Sequence, residues 1–382
     1  MLRRTLLIAT ILSSLLIPIA YACMWDYDTL AMERQEFPET LELITGKFLR
    51  HSPAFYEWRV QDREARLLEE PDNLALYDDL GVAYDKLGHH DKAIELMLKK
   101  EELSPGLYET YANLGTFYIH SGQLEKGVVY IDKAIKINPE AHFGREIYQK
   151  HLVEYVLSKR VDAEIHDPIE DDVDPFALQG FTFFLANLLS TEEDSVTFHL
   201  ADQERSKAIK GILGMMRFGN HESPILLEAL GDLLSVQGME KSQLLAARAY
   251  LKATDAVDDE ETKKYLRSKA EASLTTQTGY SNGAEGLVKL ELEFQAELLE
   301  AKAWYTLIEQ DEANWKKEGK NLDAEFTAKY YNEPALSGEI GGNPPGWWKR
   351  FILEHFVLGC LLFLLIAFFY KLFKGIIKST KK

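Results

Sequence analysis

The stretch "YDDLGVAYDKLG", residues 77–88, returns 34 residues later as "YANLGTFYIHSG", residues 111–122. Both copies hold a tyrosine, a Leu-Gly pair, a second tyrosine and a final glycine at the same positions. Pro71, Pro105 and Pro139 follow the same period. Such self-similarity indicates stacked units, each of which buries its apolar face against its neighbours.

The residue types that recur predict a pair of helices in each unit. Gly88 and Gly122 fall where a tight turn joins the two helices, and Gly81 and Gly115 allow the paired helix to approach closely. The recurring tyrosines and leucines lie at helical spacing and fill the space between helices. The prolines end one unit and help to start the next helix.

The pattern Y-x-x-L-G-x-x-Y…A…P with this period resembles the tetratricopeptide repeat family, with tyrosine in place of the usual tryptophan. The resemblance implies an all-α fold, a helical-repeat solenoid that binds proteins. We expect an N-terminal repeat domain over residues 23–160. It contains clear repeats at 74–107 and 108–141, after a degenerate helix pair at 38–70.

Residues 161–332 are also expected to be mainly helical. Residues 161–175 form an acidic linker, and residues 176–274 a second helical region of helical hairpins. Leu230, Gly231 and Gly238 echo the repeat there, but only after three extra residues are allowed, so a divergent repeat and an unrelated hairpin both stay open. Residues 275–332 are expected to hold a loop and one long helix.

The two ends of the chain predict export and a membrane anchor. Residues 1–22 have the charges, apolar run and small residues of a signal peptide, although an uncleaved anchor is the alternative. After a flexible tether, residues 333–346, an apolar stretch at 347–371 predicts a single C-terminal transmembrane helix. The Lys-rich tail, 372–382, is expected in the cytoplasm, with the body outside it, on the periplasmic side of a bacterial inner membrane.

Two cysteines occur, Cys23 at the expected cleavage point and Cys360 inside the apolar stretch. They are not expected to pair. The small residues before Cys23 resemble a bacterial lipobox, which makes Cys23 a candidate for lipidation; ordinary signal-peptide cleavage is the alternative.

The formal net charge of −18 argues against nucleic acid as a partner, because phosphates require clustered lysine and arginine. It favours a protein or peptide segment that is neutral or basic. The membrane is the second expected contact, through the C-terminal helix.

The resemblance implies a concave groove lined by the first helix of each repeat. The side chains of those helices that are not needed for packing are the candidate partner-binding residues. The alternative is that they are simply exposed to solvent. They are Asp78, Val82, Asp85, Lys86, Glu109, Ala112, Thr116, Ile119 and His120. Family members that clamp a terminal carboxylate use Lys, Asn and Arg; Asp78 and Ala112 stand where that clamp would begin, which argues against such a ligand.

Catalytic and metal sites are not predicted. "GYSNG", residues 279–283, matches the hydrolase pattern G-x-S-x-G but lacks a preceding strand. His89, His90 and Asp91 are adjacent and cannot easily close on one ion, and the acidic run 170–174 lacks the spacing of a calcium loop. We therefore expect no cofactor and no metal.

These observations favour a membrane-anchored scaffold or adaptor that binds another protein outside the cytoplasm, in the assembly or maintenance of an envelope complex. Two alternatives stay open. One is an enzyme with an unrecognised site in residues 175–332. The other is a sensor that signals through the Lys-rich tail.

Overall fold

The first described helices frame the start of the repeats. Helix α1, Thr40–Thr45, ends at Gly46, whose φ of 83° is left-handed. Helix α2, Pro53–Glu69, begins at Ser52, whose hydroxyl accepts a hydrogen bond from the Phe55 amide. The computed structural model describes residues 26, 38–139, 141–161, 164–165, 180–189, 200–274, 280 and 283–331.

The two copies of the repeat fold into two antiparallel helix pairs. They are α3, Leu74–Lys86, with α4, His90–Leu103, and then α5, Tyr108–His120, with α6, Leu124–Ile137. Gly88 and Gly122 lie at the turns, each with a φ of 78°, as their spacing predicts. A side chain at either position would strain the backbone, so glycine is the residue best suited to this turn.

Close approach within each pair depends on a glycine in the first helix. A Cβ added at Gly115 would lie 2.5 Å from Cδ1 of Ile131 and 3.0 Å from its backbone nitrogen. A Cβ at Gly81 would lie 3.0 Å from Cε of Met97 and 3.3 Å from the Phe117 ring. The predicted role of both glycines is therefore visible in the packing.

The chain then turns into the second half. A short 3₁₀ turn, Ala141–Gly144, leads into helix α7, Arg145–Ser158. Strands β1, Arg160–Val161, and β2, Glu164–Ile165, form a two-residue antiparallel ladder at the start of the expected linker. Helix α8, Gly180–Leu189, follows.

The second half continues as packed helices. Helix α9, Asp202–Met215, ends in a π-helical turn, Met216–Asn220. Helices α10, Pro224–Ser235, and α11, Glu240–Thr254, form a hairpin, and α12, Glu260–Ala272, packs on α11.

Gly231 gives the α10–α11 hairpin the same close approach as the repeats. A Cβ at Gly231 would lie 2.5 Å from Cε1 of Tyr250. The two helices thus approach each other at a glycine, as in the two clear repeats. A divergent repeat and an unrelated hairpin would both allow this packing.

The long helix expected within residues 275–332 is α13, Ala284–Lys317, and the short α14, Leu322–Tyr330, packs on it. Buried Ile308 and Trp315 of α13 join Phe55 of α2 and Phe326 of α14 in one apolar cluster. The long helix therefore packs against the start of the repeat region.

The described helices form an all-α structure around a large core. This core unites α1 with the second half, because Leu43 and Ile44 belong to the same apolar cluster as Leu227 and Leu230. All described residues belong to one unit that ends at Tyr331. None of their helices combines the length and the apolarity needed to cross a bilayer. The predicted transmembrane helix, 347–371, lies outside the described residues.

Candidate protein-binding site

The nine predicted groove residues all lie on α3 and α5, but they differ in exposure. Those inside the protein are Asp78, Val82, Asp85, Ala112 and Thr116. Those nearer the surface are Lys86, Glu109, Ile119 and His120. The expected exposure is thus corrected for the five buried residues, because packing within and between the repeats encloses side chains of this face, as in the clusters of Val82 with Phe117 and of Ala112 with Ala134. Partner binding by the set stays a prediction.

Asp78 is buried and forms an ion pair with a lysine of the second helix. The Nζ of Lys100 lies 2.7 Å and 2.6 Å from the two carboxylate oxygens of Asp78. Asn113 of the next repeat donates a further hydrogen bond of 3.1 Å to the same carboxylate. A buried charge is tolerated only when it is paired and hydrogen-bonded in this way. Asp78 therefore holds the two repeats together.

Asp85 bridges two histidines from different repeats. Its Oδ1 lies 2.7 Å from Nδ1 of His90, and its Oδ2 lies 2.7 Å from Nδ1 of His120. Burial would raise the pKa of Asp85, but the charge of His120 and the hydrogen bonds from both rings lower it to about 2. The hydrogen bond to Asp85 raises the pKa of His90. Asp85 thus connects the first repeat to the second.

Lys86 attaches the second half to the inner face of the repeats. Its Nζ donates hydrogen bonds of 2.7 Å to the carbonyl oxygen of Phe218 and 2.6 Å to that of Gly219. Both carbonyls belong to the π-helical turn after α9. Burial lowers the pKa of Lys86 to about 8. This turn covers part of the face that the sequence predicts as a groove.

Next to this contact, an apolar pocket opens between α5, α7 and α10. Its volume is about 370 Å³. Ile119, Leu152, Phe218 and Ile225 supply apolar walls, with His120 among the polar residues that line it. Thr116 also lines it, so three of the predicted residues, Thr116, Ile119 and His120, meet in one pocket.

A smaller cavity on the other side of Phe218 is basic. Its volume is about 220 Å³, and Arg50, Lys86, Arg217 and His221 are among its lining residues. Burial, and then the charges of Arg50, Lys252 and Lys86, lower the pKa of His221 to about 3. His221 is therefore held neutral in a positive environment.

A buried polar cluster lies in the second half, where an enzyme alternative would need its catalytic groups. Lys269 Nζ lies 2.6 Å from Asp232 Oδ1 and 2.8 Å from Glu228 Oε1. The hydroxyl of Tyr250 donates to Asp232 at 2.8 Å, and the amide of Phe181 donates to Asp232 at 2.9 Å. Asp232 and Lys269 are 1% and 2% exposed. These groups satisfy one another and tie α8 to the α10–α12 packing.

Several sequence predictions lie outside the described residues. Cys23 and the expected membrane-spanning and tail segments are among them, and so is most of 279–283. His89 and Asp91, considered as ligands with His90, are exposed, while His90 turns to Asp85.

The sequence analysis did not predict three residues that matter here. Lys100 pairs with Asp78, and Phe218 and Ile225 line the apolar pocket. A signal existed for the contacts between repeats, because in a repeat of 34 residues the neighbouring copy lies about one period away. Asp78 and Asn113, like Asp85 and His120, are 35 positions apart. No comparable signal joins Lys86 to Phe218, which lie 132 positions apart.

The comparison with known families agrees with this geometry. The tetratricopeptide repeat model matches residues 74–106 and 108–140, which correspond to the α3–α4 and α5–α6 pairs. No curated protein matches the chain. Such repeats suggest a scaffold for protein–protein interaction. The predicted repeats are confirmed: the chain contains tetratricopeptide repeats at those two stretches.

Proposed function

We propose that the protein is a scaffold or adaptor that holds a segment of another protein in the apolar pocket between α5, α7 and α10. The observation that carries this proposal is the pocket itself. It is about 370 Å³ in volume, and it lies at the end of the first helix of the second repeat. Pockets of this size with apolar walls and a few polar groups are typical binding sites.

The pocket's lining indicates what it takes. Ile119, Leu152 and Ile225 offer an apolar surface, while His120, Arg145 and Gln149 add polar groups. A large apolar or aromatic side chain of a partner would release water from these walls, and such anchors carry most of the energy of protein interfaces. The preferred occupant is therefore a segment with one or two bulky apolar residues.

We also propose where the protein lies in the cell. The signal peptide expected at 1–22 and the apolar stretch at 347–371 support an exported body tethered to a membrane, on the periplasmic side of a bacterial inner membrane. There the scaffold would serve the assembly or maintenance of an envelope complex. The overall acidity of the chain favours a neutral or basic partner.

A charge introduced into the pocket tests the proposal. Ile225 is 40% exposed, lines the pocket and lies in the first turn of α10, where an acidic side chain is compatible with the helix. Ile225→Asp should therefore fold and lose the partner in co-purification from membranes. Val129→Asp is the matched control, because Val129 is 55% exposed and does not line the pocket. Equal recovery of partners by both variants would contradict the proposal.

A further inference from the structure

Asp85, His90 and His120 bring three metal-ligand side chains together at the junction of the two repeats. Each offers one ligand atom, and these atoms all lie within 4.8 Å of one another. The carboxylate is central: one of its oxygens lies 2.7 Å from each imidazole Nδ1. The two rings stand edge to face, with centroids 5.9 Å apart.

The three side chains are supplied by helix positions in both repeats. Asp85 lies in the last turn of α3, His90 is the first residue of α4, and His120 is the last residue of α5. The tight turn at Gly88 sets the first two, and the packing of α5 on α3 sets the third. The cluster is therefore fixed by the fold and not by a loose surface loop.

The carboxylate of the cluster is buried and its two imidazoles are partly exposed, as in a metal site that is open to solvent on one side. The Asp85 side chain is 2% exposed, whereas those of His90 and His120 are 30% and 28% exposed. An ion could thus enter from the surface and keep water in the remaining positions. The buried carboxylate would supply the negative charge beneath it.

We propose that Asp85, His90 and His120 bind a divalent transition-metal ion of the zinc class. Imidazole nitrogens with a carboxylate are suitable ligands for Zn²⁺, whereas Ca²⁺ and Mg²⁺ prefer all-oxygen sites. Ligand atoms about 2.0–2.1 Å from a tetrahedral ion lie about 3.3 Å from one another. The carboxylate–imidazole distances of 2.7 Å need to open slightly to reach that value.

Binding would join the first repeat to the second through one ion. The ion would replace the two hydrogen bonds of Asp85 with bonds from both repeats to a common centre. We expect it to stabilise the repeat pair, because an ion that binds the folded state and not the unfolded state shifts the equilibrium towards folding. This inference is independent of the apolar pocket, although His120 contributes to both.

The test is titration of the purified full-length protein, without a histidine tag, with ZnCl₂ in a calorimeter. His90→Gln and His120→Gln each remove one ligand, and His89→Gln is the matched control, since His89 is the exposed neighbour of His90. We expect one ion per chain in the wild type and in His89→Gln. The two ligand variants should bind at least about tenfold more weakly.

Two further readouts keep the proposal falsifiable. Circular dichroism establishes that each variant is folded, and Co²⁺ as a probe should give the visible absorption of a tetrahedral site in the wild type and in His89→Gln alone. Equal zinc affinity in all four proteins, or no zinc binding by the wild type, would overturn the proposal. Ile225→Asp should bind zinc as the wild type does, so failure of the pocket and failure of the metal site are distinguishable.

Discussion

The Nζ of Lys86 lies 2.7 Å from the carbonyl oxygen of Phe218, and this contact joins the repeat region to the second half of the chain. A second bond of 2.6 Å to Gly219 secures the same turn. The ring of Phe218 then lies 4.7 Å from the guanidinium carbon of Arg145 in α7. The turn after α9 thus separates the apolar pocket from the basic cavity, with Phe218 in the lining of both.

Replacing Lys86 should loosen this turn. Lys86→Met keeps the length of the side chain but removes both hydrogen bonds to Phe218 and Gly219, and a hydrogen bond from a charged group contributes about 1.5–3 kcal/mol. We expect faster amide exchange in residues 216–220 and a lower free energy of unfolding. Lys241→Met, at an exposed position of α11, is the control and should leave both unchanged. Wild-type exchange in Lys86→Met would contradict the role of this contact.

The buried pair of Asp78 and Lys100 should be costly to break from one side. Burial raises the pKa of Asp78 to about 7 even beside Lys100, so in Lys100→Met the carboxyl either takes up a proton or stays charged and unpaired, and we expect a loss of up to about 3–5 kcal/mol. Lys210→Met, at an exposed position of α9, should change the free energy of unfolding by less than about 0.5 kcal/mol. Urea unfolding measures both.

A double variant tests whether the loss is due to the unpaired charge. Asp78→Leu combined with Lys100→Met removes both charges, so it should recover much of the stability that Lys100→Met loses. A double variant no more stable than the single one would show that the cost arises elsewhere.

A methyl group at Gly115 should separate the two helices of the second repeat. Gly115→Ala places its Cβ against Ile131, including the backbone nitrogen at 3.0 Å, and such overpacking costs about 1–3 kcal/mol. Gly219→Ala is the control, because a Cβ there meets nothing within 4 Å. We expect thermal unfolding of Gly115→Ala alone to shift to lower temperature. Equal transitions for the two variants would contradict the close approach.

His221 should make stability depend on pH. Its pKa falls from 6.5 to about 3 on folding, so the unfolded chain binds a proton below about pH 6.5 that the folded chain does not. The contribution is therefore present above pH 6.5 and is lost as the pH falls towards 3, by up to about 1.4 kcal/mol for each pH unit. Arg50, Lys86 and Lys252 are the charges that oppose protonation.

The comparison is between wild type and His221→Gln, with the free energy of unfolding measured at pH 7.5 and at pH 5. The variant lacks the titrating group and should lose less stability between the two values. An identical loss in both proteins would show that His221 does not carry this dependence.

The sequence predicted the repeat helices well because their determinants are local and periodic. Gly81, Gly88, Gly115 and Gly122 have the roles that their spacing indicates, and each can be interpreted without knowledge of distant residues. The length of α13 was also recoverable, since its residues are helix formers without an internal proline.

The candidate site was recovered only in part because its surface is set by contacts distant in sequence. Whether Val82 or Ile119 is accessible depends on where residues 216–220 pack, and no periodicity encodes that. Asp85 looked like a free acidic side chain because its partners arise from the next turn and from the next repeat. Charged residues on the inner face of a repeat therefore need to be compared with positions one period away before they are assigned to a groove.

The most direct measurement of the central claim is site-specific photocrosslinking of the full-length protein in the cells that produce it. A benzophenone amino acid replaces Ile225, at the mouth of the apolar pocket, or Val129, at an exposed position that does not line it. The account predicts an adduct of defined mass from position 225 that is absent from position 129, and that is reduced when Ile119 is changed to Ala. The same adducts from both positions, or none from position 225, would contradict the pocket as the site of partner binding.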